Sequence, residues 1–130
     1  MRHKYETRGI VLSRVHTGEA TTLVTILTAD LGLVQARAQS LRKSGAKLSS
    51  ALATFAESSV VLLRGREGGR LSGAVLEENW FVRLQEAGEV PRASRVSTLL
   101  LRLGAGEAHD THLFPIIRGF LRALAESPKS

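Results

Sequence analysis

Residues 21–40 read TTLVTILTADLGLVQARAQS, and this stretch decides the fold. Its first eight residues are rich in threonine, valine and isoleucine, whose branched side chains suit a pleated strand. Asp30-Leu31-Gly32 predicts a turn. From Leu33 to Ser40 the residues alternate in character, with Val34, Ala36 and Ala38 on one face and Gln35, Arg37 and Gln39 on the other. The stretch therefore predicts two strands, the second with a core face and a wet, basic face.

Similar β patterns extend outward from this stretch. The five predicted strands are 9–15, 21–28, 33–40, 58–64 and 71–78. A loop at 41–46 leads to a short helix at 47–55, whose Leu48, Leu52 and Phe55 lie near one face. A glycine-rich hairpin loop at 65–70 joins the last two strands. Three strands, a short helix and two strands in this order predict a five-stranded OB-fold Greek-key barrel.

The hydrophobic period changes to that of a helix after residue 90. Pro91 suits a first helical turn, and the apolar face of this helix is formed by Val96, Leu99, Leu100 and Leu103. Gly104-Ala105-Gly106 ends it. A second helix is capped by Asp110 or Thr111 and carries Pro115 in its first turn, followed by a wide apolar stripe.

These patterns divide the chain into an OB-fold domain at 1–80 and, at 81–130, a linker followed by about two helices, with 81–90 as the hinge. The fold class is mainly β with a short C-terminal helical segment. Two amphipathic helices cannot bury their stripes on each other with much stability. We therefore expect a set of apolar side chains to pack on the barrel or across a homodimer: Leu99, Leu103, Ile117, Phe120 and Leu121.

Composition supports one folded domain. Of 130 residues, 43% are apolar and 23% charged, which is enough to bury a core. The chain has no cysteine, which excludes disulfides and thiolate metal sites and fits a reducing compartment. No apolar run is long enough to cross a bilayer, and the charged N-terminus leads into no signal-peptide core. We expect a cytoplasmic protein without a membrane partner.

No catalytic or metal-binding constellation is present in the sequence. His109 and His112 are three residues apart, but no cysteine accompanies them, so a solvated helix start is the preferred interpretation. Glu77 and Glu78 are adjacent on a strand and point to opposite faces, which excludes an acid–base pair. The segment 65–70 lacks the Gly-Lys-Ser/Thr ending of a phosphate loop. We predict no enzyme activity, no cofactor and no metal.

Charge distribution suggests a polyanion partner. The chain carries a net charge of +6, and Leu31 to Ala56 contains no acidic residue. One-signed surfaces attract nucleic acid, although a solvated loop would show the same pattern. The predicted DNA contacts are Arg14, Arg37, Arg42, Lys43, Lys47, Arg64, Arg66 and Arg70. For the last three, Glu67 dilutes the patch.

The aromatic residues constrain the style of binding. None occurs between Tyr5 and Phe55, so the OB face has no ring on which a base could stack. Trp80 and Phe81 follow the last strand, where core packing is the preferred interpretation. We therefore expect binding to phosphates that is salt-sensitive, blind to sequence, and tolerant of single or double strands.

A set of residues over about 5–80 resembles the N-terminal domain of the RecO family of bacterial recombination mediators. The matching positions are Gly9-Ile10-Val11-Leu12, Gly18-Glu19, Leu23-Val24-Thr25 to Thr28, Gly32, Ala38, Arg42-Lys43, Lys47-Leu48, Leu52, Phe55, Leu63, Gly65-Arg66 and Ala74. Residues 91–126, notably Leu113 to Leu124, are similar to the first helices of that family's helical domain. The set is specific as a whole rather than in any one piece.

The resemblance implies an OB-fold that binds single- and double-stranded DNA, anneals complementary strands, and works with RecR and the single-strand-binding protein to load RecA. It implies a nucleoid-associated location and places the family's basic surface on Arg37, Arg42, Lys43 and Lys47. The chain departs from the family in its shorter length and in lacking the cysteine zinc motif of many members. Family members dock the single-strand-binding protein on the helical part. Because most of that part is absent from this chain, the expectation of docking is weaker than that of DNA binding.

Two other interpretations stay open at this level. The barrel or the helical stripe could serve mainly to dock a protein partner such as RecR. An RNA-binding OB domain is the other, because phosphate contacts do not distinguish DNA from RNA.

Overall fold

The computed structural model describes residues 3–18, 20–39, 46–65, 68–103 and 111–127. The elements are β1 (His3–His16), β2 (Thr21–Thr28), β3 (Gly32–Gln39), α1 (Ala46–Ala51), β4 (Ala56–Gly65), β5 (Gly68–Asn79), α2 (Trp80–Ala87), α3 (Val90–Leu103) and α4 (Leu113–Ala125). Within these ranges, no helix combines the length and apolar character needed to cross a membrane.

The five strands close into a barrel in the order β1-β2-β3-β5-β4. All neighbours are antiparallel except β3 and β5, which run parallel and pair only through Ala36 with Gly69 and Arg37 with Arg70. Following paired residues round the ring from Arg14 returns to β1 at His3, which is the stagger that a tilted, closed barrel requires. The predicted mainly β, OB-like fold with C-terminal helices is confirmed.

Strand β1 is longer than predicted because both of its halves are paired. Its first half pairs with β4 and its second half with β2, and Gly9 and Ile10 belong to both ladders. A bulge at Leu12 lets one strand serve both neighbours. The bulge leaves two carbonyls that need partners. The Val11 carbonyl accepts from the Phe55 N–H at 2.7 Å, and the Leu12 carbonyl accepts from Ser97 Oγ at 3.2 Å.

The barrel interior is filled by aliphatic side chains. This interior cluster comprises Val11, Val24, Ile26, Val34, Ala36, Ala38, Leu52, Val60 and Leu62. Leu48 of α1 packs against it, so α1 closes the barrel. The predicted extension of this helix to Phe55 is wrong: α1 ends at Ala51, whose carbonyl accepts from Ser58 Oγ at 2.6 Å. Phe55 has φ 65° and is buried, held there by its bond to β1.

The helices cover one part of the barrel's outer surface. Their helix-side cluster comprises Ile10, Leu12, Leu27, Leu33, Phe55, Trp80, Leu84, Ala93, Phe114, Ile117, Leu121 and Leu124. The hinge predicted at 81–90 is wrong, because α2 occupies most of it, and the described residues contain three C-terminal helices rather than two. Asn79 caps α2 by accepting from the Val82 N–H, and Gly88 ends it with φ 72°.

Helix α3 is rotated by part of a turn relative to the predicted face. Its buried residues are Ala93 and Ser97, and Val96 and Leu100 pack on the helix-side cluster as expected. Leu99 and Leu103 are 55% and 77% exposed, so their predicted packing on the barrel is wrong, while their packing across a homodimer stays a prediction. The small side chains let α3 approach β1 closely enough for Ser97 to bond to the Leu12 carbonyl. The chain prefers this bond because it satisfies a carbonyl that the bulge would otherwise bury without a partner.

Helix α4 follows the prediction more closely. Ile117 and Leu121 are buried and Phe120 packs on the helix-side cluster, as expected, and Pro115 lies in the first turn. Ile116, part of the predicted stripe, is 61% exposed. The N-cap is His112, which makes no capping bond through its side chain, so the predicted cap at Thr111 is wrong. The alternative cap, Asp110, lies outside the described residues, as do Gly104-Ala105-Gly106 and His109.

One buried carboxylate joins the helices to the barrel. Glu57 of β4 is 1% exposed and accepts from Trp80 Nε1 of α2 at 2.9 Å. Arg118 of α4 donates from Nε to both oxygens, at 3.0 and 3.2 Å, and Arg8 of β1 lies at 3.5 Å. Trp80 is fully packed, as predicted, whereas Phe81 is 37% exposed and the prediction that it packs in the core is wrong.

We expect Glu57→Gln to lower the free energy of unfolding by about 2 kcal/mol, because it leaves Arg118 and Arg8 without their buried counter-charge, a loss moderated by water at these half-exposed groups. Glu77→Gln is the control: Glu77 contacts Arg8 at 3.1 Å but is 35% exposed, so we expect a loss below about 1 kcal/mol. Urea unfolding measures both. Equal losses in the two variants would show that burial of Glu57 has no special weight.

We expect Gly9→Ala to destabilise the fold by about 1–3 kcal/mol, because a Cβ there would overlap Ile26 Cγ2 and lie 3.2 Å from the Leu27 carbonyl oxygen. Gly119→Ala on α4 is the control, since a Cβ there meets nothing within 4 Å. It should stabilise by up to about 1 kcal/mol through helix propensity. Thermal unfolding compares the two, and an unaltered Gly9→Ala protein would contradict the shared-strand geometry.

Candidate nucleic-acid interface

The outer face of β2 and β3 is only partly open. Leu27 and Leu33, at the end where the two strands join, are buried in the helix-side cluster. Towards the other end, the outward residues are half-buried or exposed: Thr21, Leu23, Gln35, Arg37 and Gln39. None of these is aromatic. The open part of the OB face therefore offers hydroxyl, amide and guanidinium groups to a ligand, and no stacking platform.

A basic row crosses the closure of the barrel. In the strand register Arg37 of β3 pairs with Arg70 of β5, Arg70 pairs with Leu63 of β4, and Leu63 pairs with Lys4 of β1. Paired residues point to the same side of a sheet, and neighbouring strands are about 4.8 Å apart. The register thus brings three cations, Lys4, Arg70 and Arg37, onto one line across four strands. We call these three residues the basic row.

The neighbouring register line carries further cations. His3 pairs with Arg64, Arg64 with Gly69, Gly69 with Ala36, and on through Val24 to Arg14. Arg64 is half-buried on β4. Lys47 is exposed on α1, where it borders a groove whose other wall is Ala74, Val75 and Leu76 of β5. Arg64 is next to Arg70 in the register, but it shares its line with the interior residue Ala36 and so belongs to the other side of the sheet. Lys47 lies on the helix beside β5.

Arg14 has a structural role in the barrel. Its side chain donates to the Ser49 carbonyl at 3.0 Å and to Ser49 Oγ at 3.2 Å. The Leu12 bulge reverses the alternation of β1, so Arg14 pairs with the inward residue Val24 instead of pointing outward. A cation on a carbonyl near the end of α1 stabilises that helix. The side chain of Arg14 thus contacts α1 and does not lie on the register line of Arg37 and Arg70.

Three other predicted contacts, Arg42, Lys43 and Arg66, lie outside the described residues. Lys4 of the basic row was missed by the sequence analysis. It stands 63% exposed and contacts Glu6 at 3.5 Å. Only the strand register could have found it, because it is far from Arg37 in sequence and sits in a stretch that alternates in charge.

Three barrel carboxylates, Asp30, Glu57 and Glu77, lie round the middle of β1. Asp30 Oδ2 accepts from Thr7 Oγ1 at 2.7 Å, while Glu57 and Glu77 lie 3.5 and 3.1 Å from Arg8. Glu78 contacts Arg83 of α2 at 2.9 Å. Asp30 and Glu57 are the acidic residues that flank the acid-free stretch in sequence. In the fold, both are hydrogen-bonded to residues outside the basic row. Apart from Glu6, which contacts Lys4, the described carboxylates of the barrel thus lie away from the basic row.

The closed five-stranded barrel places this protein in the class of OB-fold proteins, and the basic row lies on the barrel's outer side. Comparison with known proteins then gives the family: the family model described as Recombination protein O N terminal matches residues 1–80, more than half of the chain. The chain belongs to the RecO family.

The chain is similar to several curated proteins named DNA repair protein RecO. It is 40% identical to that of Dehalococcoides mccartyi over 72 residues, which are 55% of this chain and 28% of the relative. It is 28% identical to that of Gloeothece citriformis over 126 residues, 97% of this chain and 44% of the relative. It is 30% identical to that of Gloeobacter violaceus over 124 residues, 95% and 48% respectively. The chain therefore spans less than half the length of these relatives.

The different placement of two arginines gives a testable contrast. We expect Arg14→Ala to cost about 1.5–3 kcal/mol of stability, because it removes a charged hydrogen bond to a helix carbonyl. Arg70→Ala should change stability by less than about 0.5 kcal/mol, as for an ordinary surface position. Urea unfolding of the two variants checks this. A larger loss for Arg70→Ala than for Arg14→Ala would reverse the assignment.

Proposed function

We propose that this protein is a non-enzymatic DNA-binding protein of recombinational repair. It binds single- and double-stranded DNA through backbone phosphates, promotes annealing of complementary strands, and supports the loading of RecA together with RecR. Membership of the RecO family supports the biological setting. The observation that carries the binding proposal is the pairing of Arg37 with Arg70 across β3 and β5, which brings two half-buried arginine residues to the same side of neighbouring strands.

The chemistry of the surface favours phosphate over base recognition. Arginine presents a planar fork of donors that matches phosphate oxygens. The side chains around Arg37 are Gln35, Gln39 and Leu23, which offer hydrogen bonds and modest apolar contact but no ring. The helices cover the other end of the β2–β3 face, where Leu27 and Leu33 lie. Binding should therefore follow the backbone of the nucleic acid with little preference for sequence.

Partners other than DNA follow from the family rather than from the residues of the site. RecR is the proposed direct partner, and RecA is served indirectly. A contact with the single-strand-binding protein is proposed for the helical part. The chain would act in the bacterial cytoplasm, at the nucleoid.

Exposed leucines favour a second candidate function, that of a protein-docking module. Leu99 and Leu103 of α3 are more than half exposed. Contiguous exposed apolar side chains mark protein interfaces, whereas single scattered ones are ordinary, and Leu99 and Leu103 are one helical turn apart. In this case a partner such as RecR would be bound without help from the basic row. An RNA-binding role differs only in the nucleic acid and is separated by using both probes.

The test is fluorescence anisotropy with labelled single-stranded DNA, duplex DNA and RNA across a series of salt concentrations. If four to six phosphates are contacted, log K should fall with log salt with a slope of about −3 to −5. Arg37→Glu/Arg70→Glu and Arg42→Glu/Lys43→Glu should each weaken binding about tenfold or more. Arg37→Lys/Arg70→Lys, which keeps the charge but loses the planar fork, is the matched control and should lose less affinity than either charge reversal.

No binding to any probe at low salt would contradict the proposal and leave the docking module. A slope near zero would exclude phosphate contact as the source of affinity. Tighter binding to RNA than to either DNA probe would favour the RNA-binding alternative.

A further inference from the structure

Helix α3 carries a second basic surface on the side that faces solvent. Its exposed positions include Arg92, Arg95 and Arg102, with Leu99 between the last two. Steps of three, four and three residues put these four side chains on one face of a helix. No acidic residue occurs between Val90 and Leu103, so the face has one sign of charge along its whole length.

The three arginines differ in their surroundings. Arg92 lies 3.5 Å from Glu89 and is partly neutralised by it. Within the described part of the chain, Arg95 and Arg102 form no ion pair and no side-chain hydrogen bond. They are two helical turns apart, about 10 Å along the axis. Both side chains are exposed, and their spacing suits oxygen acceptors along an extended polyanion.

The α3 face lies away from the two arginines of the basic row, while Lys4, the third member of the row, is on β1 itself, eight residues before Leu12. Helix α3 is fixed to β1, where Ser97 donates to the Leu12 carbonyl and Ala93 enters the helix-side cluster. In the ring, β1 neighbours β2 and β4, whereas Arg37 and Arg70 lie on β3 and β5. The strand that supports α3 is thus adjacent to neither of the strands that bear the two arginines of the barrel.

From this placement we infer that the outward face of α3, centred on Arg95 and Arg102, is a second phosphate-binding surface that holds a second nucleic-acid strand. The inference rests on the proposed function of the barrel. Two surfaces on one molecule would raise the effective concentration of one strand near another, which favours annealing. The one-signed charge of the face favours phosphates, and Leu99 adds apolar contact to the sugar or base.

The test measures simultaneous capture of two strands by the full chain. Donor- and acceptor-labelled single-stranded oligonucleotides of non-complementary sequence are mixed with protein, and energy transfer between them is recorded while sedimentation reports the number of protein chains per complex. Wild type should give energy transfer in complexes that contain one chain. Arg95→Glu/Arg102→Glu should abolish it, slow the annealing of complementary oligonucleotides by about tenfold, and keep single-oligonucleotide affinity within about threefold.

Charge-retaining Arg95→Lys/Arg102→Lys is the matched control and should keep energy transfer. Thermal unfolding checks that every variant is folded. Energy transfer and annealing at wild-type levels in Arg95→Glu/Arg102→Glu would overturn the inference while leaving the barrel proposal intact. The inference would also be overturned if Arg95→Glu/Arg102→Glu still captured both strands but no longer bound an acidic, leucine-containing synthetic peptide that wild type binds. That result would assign the outward face of α3 to a protein partner. Absence of any DNA binding by wild type would instead defeat the proposed function itself.

Discussion

The carboxylate of Glu57 sets the relation between the two parts of this molecule. It sits on β4 with almost no exposure, and it is held by Trp80 of α2, Arg118 of α4 and Arg8 of β1. A buried charge is tolerated only when its partners are in place, so the helices must dock where these donors converge. That position puts apolar helix side chains over Leu27 and Leu33. The same contact therefore decides which part of the β2–β3 face is left for a ligand.

The bulge at Leu12 is the second constraint, because it leaves two buried carbonyls of β1 that residues outside the sheet must satisfy. The buried carbonyls of Val11 and Leu12 accept from Phe55 and Ser97, which fixes the segment after α1 and the rotation of α3. The bulge also turns Arg14 inward to the end of α1. One additional residue in a strand thus accounts for the placement of a loop, a helix and an arginine. It also explains why α3 presents arginines and leucines to solvent.

The sequence predicted the strands, the barrel and the helix between β3 and β4, because β-branched runs and strict alternation reflect burial directly. It failed where backbone geometry intervenes. Helix α2 was missed since its apolar residues Trp80, Phe81 and Val82 are contiguous, although Asn79 and Gly88 are readable caps. The face of α3 was misjudged because three consecutive leucines at 99–101 outweigh the small Ala93 and Ser97. In the candidate site, Arg37 was predicted from charge and alternation and Arg70 from its place beside the last hairpin loop, whereas the position of Lys4 needed the strand register and that of Arg14 needed the bulge.

The central claim is that DNA follows the basic row and avoids the part of the barrel under the helices. Backbone amide shifts of isotopically labelled protein, recorded by NMR during titration with a short single-stranded DNA, test this directly. The account predicts that among barrel residues the largest changes fall at Gln35, Arg37, Gln39, Arg70 and Lys4, with little change at Leu27, Leu33 and Glu57. Changes that are largest at Leu27, Leu33 and Glu57, with none at Arg37 or Arg70, would contradict it.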